Sequence, residues 1–193
     1  MISETYTETV YVADFTDYVS KEGKDAAPCE GVFVGTQENG IIPSFVLTDE
    51  HSFPFVVVNN EKNAPLYTKE DGMKVSQCEC IIFADRHDNR KGWMMFLELK
   101  YCEAKNLYNN ILDGISQLKA TCNFIMDEKR VFNTTLFKKY LVISTPGTMP
   151  LDPFDAFYFD QDFMLSVKTD TNGAILKATN LAHILTPALV KFI

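Results

Sequence analysis

Three side chains have the types and spacing to do chemistry together: Glu79, in Gln77-Cys78-Glu79-Cys80-Ile81-Ile82-Phe83, and Glu98 with Lys100, in Phe96-Leu97-Glu98-Leu99-Lys100-Tyr101. Both runs are otherwise apolar and read as strands. Side chains alternate faces along a strand, so Phe96, Glu98 and Lys100 share one face, and Met95, Leu97 and Leu99 the other. Burying either charged group alone is costly, so the pair needs a partner. A hairpin turn centred between Asp88 and Asn89 supplies one. It places Glu98 opposite Glu79 and Lys100 opposite Gln77, with facing Cβ atoms ~5 Å apart. The rival acid, Asp85, falls at the turn in this register, roughly 20 Å along the strand from Glu79 at ~3.3 Å per residue.

Two facing carboxylates repel each other unless something neutralises them. Lys100 can do part of this and a divalent cation the rest. Hard ions such as Mg²⁺ or Mn²⁺ are held by one or two carboxylates together with waters and phosphate oxygens. Such an ion activates water and stabilises a phosphoryl transition state, while a lysine orients the nucleophile or shares the charge. The expected chemistry is metal-dependent hydrolysis of a phosphodiester, with Glu79 and Glu98 as the metal ligands.

The same residues resemble the core of the restriction-endonuclease-like, PD-(D/E)XK nuclease superfamily over about residues 74–145. That family carries an acid on one strand and an acid-x-lysine on the next, followed by a helix. Glu79 takes the place of the first acid, and Glu98 with Lys100 that of the acid-x-lysine. Many members carry a helical glutamine after the motif, and Gln117, in Ile115-Ser116-Gln117-Leu118, looks like that residue. The resemblance implies a catalytic set of Glu79, Glu98, Lys100 and Gln117, Mg²⁺ or Mn²⁺ as cofactor, and nucleic acid as substrate. The chain departs from the pattern in having Glu rather than Asp as the first acid, no preceding proline, and a β-rich start where the family has a helix. Glu30, Glu38 and Glu61 are candidates for a further acid from that start.

These residues must be positioned by elements that the pattern of apolar residues outlines. Thr5 to Phe15, Gly31 to Gly35, Ser44 to Leu47 and Phe53 to Val58 read as strands, with loops over 20–28 and 59–72. Val75 to Ala84 and Trp93 to Tyr101 form the hairpin. Glu103 to about Met126 is the best helix, with Leu107, Ile111, Ile115, Leu118, Cys122 and Ile125 on one stripe. Residues 127–133 read as a loop, Thr134 to Lys138 as a helical turn and Tyr140 to Ser144 as a strand. Phe163 to Lys168 and Ala174 to Ala178 flank an Asn-Gly hairpin signal. Asn180 to Phe192 reads as a short helix interrupted at Pro187. The expected architecture is α/β (α+β): one domain over 1–193, with a central mixed sheet and a core hairpin followed by a long helix. A β-rich elaboration spans 1–73, the nuclease-like core 74–145, and a C-terminal hairpin and short helix 146–193.

Composition bounds the function. The chain has 193 residues, 46% hydrophobic and 23% charged, with 15 Phe and 8 Tyr, which is globular rather than disordered. Its formal net charge of −8 argues against a surface coated for nonspecific phosphate contact, though not against a local basic groove. Five Cys without a framework suggest reduced thiols. Residues 1–9 lack the pattern of a signal peptide, and no apolar run reaches ~20 residues, so a cytoplasmic location with no membrane partner is expected.

Plainer readings stand beside these. Glu98 and Lys100 could form a solvated pair on an edge strand, Glu79 could be an exposed strand residue, and Gln117 a surface helix residue. The basic turn Arg86, His87, Arg90, Lys91 reads as solvated. Phe154, Phe157, Phe159 and Phe163 read as a loop covering the core. A catalytically inactive relative acting as a binding or accessory protein is the alternative function, and a homo-oligomer built on the aromatic C-terminal third is a further one.

Overall fold

A computed structural model describes residues 1–69, 71–85, 92–101, 104–128, 136–147 and 160–193. It is a mixed α+β structure built on two mixed sheets. The six-stranded sheet runs in the order β1 (Glu4–Tyr6), β5 (Phe55–Asn59), β6 (Cys80–Ala84), β7 (Gly92–Leu99), β8 (Phe137–Ser144), β9 (Ile175–Ala178). The five-stranded sheet runs β11 (Leu189–Phe192), β10 (Leu181–Thr186), β4 (Phe45–Asp49), β2 (Val10–Asp14), β3 (Val32–Gly35).

In the larger sheet β5, β6 and β7 are antiparallel neighbours, and β8 lies parallel to β7. Parallel neighbours need a long crossover. Helix α2 (Leu107–Asn123) supplies it and packs against both strands. Its buried residues Leu107, Ile111, Ile115, Leu118 and Cys122 recur at three and four, and this stripe meets Met94, Phe96, Leu141 and Ile143. The other face of the sheet carries Trp93, Met95, Leu97, Leu99, Tyr140 and Val142. It packs on Val10, Val12, Phe45 and Leu47 of the second sheet. The result is three layers: helix, sheet, sheet. Strand β7 lies in the middle and is buried at every position. Among the described residues no helix is long and apolar enough to cross a membrane.

The structure corrects several expectations. Thr5–Phe15 is not one strand, since β1 and β2 join different sheets. Within the β-rich stretch 1–73, β1 and β5 are strands of the central sheet. A helix α1 (Thr16–Glu22) enters the segment read as loop from residue 20. Strand β8 begins at Phe137, where a helical turn was expected.

Phe163–Lys168 lies in helix α3 (Gln161–Asp170), not a strand, because the Asp160 side chain accepts the Phe163 N–H at 3.0 Å and caps the helix. Asn172 (φ 49°) and Gly173 (φ 91°) do adopt the left-handed turn their types favour. They end α3 there, with Gly173 N–H on Lys168 O at 2.8 Å, rather than joining two strands. Asn180–Phe192 is the hairpin β10–β11, with Pro187 in its turn. Arg86, His87, Arg90, Lys91, Phe154, Phe157 and Phe159 lie outside the described residues, as do residues 129–135, which include Thr134 of the expected helical turn.

Candidate functional site

Alternation along β7 sends Met94, Phe96 and Glu98 toward α2. Glu98 is therefore a carboxylate in a layer built for apolar side chains, and it is 0% exposed. Lys100 follows the last residue of β7, where its N–H still reaches Ser144 O at 2.8 Å and prolongs the pairing with β8. Its Nζ lies 2.5 Å from Glu98 Oε1. Lys100 meets the carboxylate as an ion pair, and the Glu79 backbone N–H adds a hydrogen bond that favours its charged form. The same Nζ donates to Gln117 Oε1 at 2.6 Å. Lys100 thus joins strand to helix.

Glu79 sits one residue before β6. The register pairs Cys80 with Leu97 and Ile81 with Phe96, so the next step outward sets Glu79 opposite Glu98. Residues 75–79 do not continue the strand as expected: Val75 N–H bonds Tyr67 O at 2.8 Å instead. Asp85 closes the far end of β6, its N–H on Pro54 O at 2.9 Å, and takes no part.

Burial pushes the Glu79 carboxyl well above its ordinary range, and the facing charge of Glu98 pushes it further. Burial also raises Glu98, and Lys100 offsets part of that rise. Each group is raised further by Asp14, at the end of β2. Sequence reasoning missed this acid, because only the packing of the second sheet brings it near. Asp14 Oδ1 is engaged by Thr16, accepting from its N–H at 2.9 Å and its hydroxyl at 2.6 Å. The three acids suggested from the N-terminal third do not gather here. Glu30 pairs with Lys24 at 2.7 Å on the surface, and Glu38 is exposed. Glu61 accepts the Val32 N–H at 2.8 Å and adds only a weak upward push on Glu79.

Helix α2 presents one face to the site through Gly114, Gln117 and Thr121, spaced three and four apart. A Cβ at Gly114 would come within 2.6 Å of Ile143 Cδ1 and within 3.2 Å of both Glu98 Cγ and Lys100 Cε. The glycine lets the helix lie against the charged pair. One turn beyond Gln117, the Thr121 hydroxyl accepts the Cys78 N–H at 2.7 Å and donates to Gln117 O at 2.9 Å. Gly114 and Thr121 were not singled out from sequence, although a helical glycine facing a strand is a signal of close packing.

A groove of about 600 Å³ opens beside Gln117. Tyr67, Lys74, Val75, Ser76 and Gln77 form much of its wall. The four side chains expected to act together are thus arranged in series: Glu79 opposite Glu98, Glu98 on Lys100, Lys100 on Gln117, and Gln117 on the groove.

A metal ion would find two carboxylates here. Among the described residues no three His, Cys, Asp or Glu side chains converge on one point. The donor set fits Mg²⁺ or Mn²⁺ in the form that takes two carboxylates and completes its shell with water and substrate oxygens. Glu98 Oε2, the oxygen that Lys100 does not meet, fits that use. Comparison with known proteins returned no match: no known family, no curated protein and no solved structure is significantly similar to the chain.

Proposed function

We propose that the chain is a divergent nuclease-like domain that hydrolyses a phosphodiester of nucleic acid with Mg²⁺ or Mn²⁺. The observation that carries this reading is the series Glu79, Glu98, Lys100, Gln117 ending at an open groove. The order β5-β6-β7-α2-β8, with the acid-x-lysine at the end of β7, supports a restriction-endonuclease-like core. An ion held by Glu79 and Glu98 would supply activation of water and neutralisation of charge on the phosphate. Glu79 gives up its proton before it can serve as a ligand. Lys100, fixed between Glu98 and Gln117, has one further Nζ proton to donate to a nucleophilic water or a phosphate oxygen. Gln117, on the groove wall, orients Lys100 toward the bound strand.

The test is cleavage of DNA and RNA with Mn²⁺ by the wild type and Lys100→Ala. Cutting by the wild type that the variant loses is the expected result. Equal residual cutting by both overturns the enzyme reading. The net charge of −8 favours a second reading, an inactive relative serving as a binding or accessory protein. Calorimetry with Mn²⁺ separates the two, since an inactive relative gives no heat at Glu79 and Glu98.

A further inference from the structure

Glu79 lies one step beyond the last paired residue of β6, where a single backbone bond prolongs the pairing with β5. The residue that makes this bond is Asn60, which is fully buried and follows the last residue of β5. Its backbone N–H donates to Glu79 O at 3.0 Å. Its Nδ2 donates to Cys78 O at 2.7 Å. One residue therefore grips two successive carbonyls of the segment that carries the acid. On the opposite side the Thr121 hydroxyl takes the Cys78 N–H. The remaining polar atom of the Asn60 side chain, Oδ1, accepts the Tyr67 hydroxyl at 2.5 Å. Tyr67 belongs to the wall of the groove.

A buried amide with both ends bonded is costly to replace, because each partner would be left unpaired. The sheet alone could have continued through residues 78–79 with ordinary strand pairing. Here the backbone pairing ends at Glu79, and at Cys78 the Asn60 side chain takes its place.

We propose that Asn60 is the positioning residue of the acid pair: it holds the Cys78–Glu79 segment so that Glu79 faces Glu98, and it ties that segment to the groove wall through Tyr67. The part of this inference that concerns metal rests on the nuclease-like reading; the part that concerns the placement of Glu79 does not.

Crystal structures and Mn²⁺ calorimetry of Asn60→Ala and Asn63→Ala test it. Asn63 is the control: it is buried in the same turn, but its amide bonds Ile2 and Asn59 and leaves residues 78–79 alone. Asn60→Ala is expected to move the Glu79 carboxylate away from Glu98 by more than about 1 Å, a displacement large enough to matter in catalysis. It should weaken Mn²⁺ binding roughly 10–100-fold, as loss of a supporting partner does. Asn63→Ala should leave both unchanged.

Should Asn60→Ala fail to fold, Thr121→Val loosens the same segment from its other side and Thr121→Ser restores it. Glu79 should move in the first and return in the second. An unmoved Glu79 in Asn60→Ala, or in Thr121→Val where that variant stands in, overturns the proposal, as does equal displacement by Asn63→Ala. A wild type that binds no Mn²⁺ overturns the metal reading, while the position of Glu79 in the variants still decides the role of Asn60.

Discussion

The two faces of the six-stranded sheet are made from the same strands and differ most sharply along β7. The face against the second sheet is apolar along the whole of β7, with Trp93, Met95, Leu97 and Leu99 as its members. It even leaves Trp93 Nε1 without a partner among the described residues. The face against α2 begins the same way, with Met94 and Phe96, and then places Glu98 where the next apolar residue would stand. A sheet packed on a sheet offers no polar group to a charge in its middle. A helix does: Gln117 and Thr121 come from α2, and Gly114 lets them approach. Charge is tolerated at the end of the strand, on the helix side, where Lys100 is still 18% exposed.

The comparison can be broken first on the apolar side. Leu97→Ala leaves a cavity between the sheets and should cost about 2–5 kcal/mol. At roughly 2–4 °C per kcal/mol for a chain of this size, thermal denaturation reads it easily. Mn²⁺ affinity should not change.

On the polar side, Lys100→Ala removes one partner of a buried pair. The loss has a ceiling of about 3–5 kcal/mol, lowered because Glu98 can take up a proton instead. It should shrink as pH falls, whereas the loss in Leu97→Ala should not. Replacing both charges, Glu98→Leu with Lys100→Leu, makes the two faces alike. That double variant should equal the wild type in stability or exceed it by about 1–4 kcal/mol, while binding no Mn²⁺. Denaturant titration checks this.

A pH series sharpens the contrast further. The ordinary carboxyl value is 4.5, and the folded values rise to about 9 for Glu79 and about 7 for Glu98. The folded chain therefore keeps protons that the unfolded chain has released. Stability from this pair is complete below about pH 4.5 and is lost as pH rises through about 7 and then about 9. The melting temperature should fall across that window. Glu79→Gln should flatten the fall, and Mn²⁺ should reverse it in the wild type.

The smallest effect is that of Gly114→Ala. Helix propensity favours alanine by about 1 kcal/mol. Overpacking opposes it by about 1–3 kcal/mol. Net stability should fall by about 0–2 kcal/mol, yet Mn²⁺ affinity should drop, because the new methyl presses on Glu98 and Lys100.

Much of the site was legible because strand alternation and hairpin pairing are local rules. Phe96, Glu98 and Lys100 could be put on one face from spacing alone, and the register followed from the turn. Gln117 followed from the helix. Asp14, Asn60 and Thr121 were not legible, since each depends on a contact between distant elements. The fold was read least well where a local signal has two uses. Asn172-Gly173 marks a left-handed turn equally well at a hairpin or at the end of a helix. Asp160 decides for the helix by capping it, ten residues and more before that signal. In β10 and β11, Ala182, Ile184 and Val190 alternate inward, and Pro187 sits between the strands. That spacing of two marks strands, while Pro187 alone fits a helix break as well as a turn.

Strand β10 pairs in parallel with β4, setting Leu181 beside Val46 and Ile184 beside Asp49. The smaller sheet is thus stitched from the first and last stretches of the chain. During synthesis β4 emerges early and keeps an open edge until residues 181–184 leave the ribosome. Contacts that distant slow folding, and an open edge is a place for other chains to attach. A nascent chain stopped before residue 181 would hold the whole charged cluster and still lack the strand that covers β4.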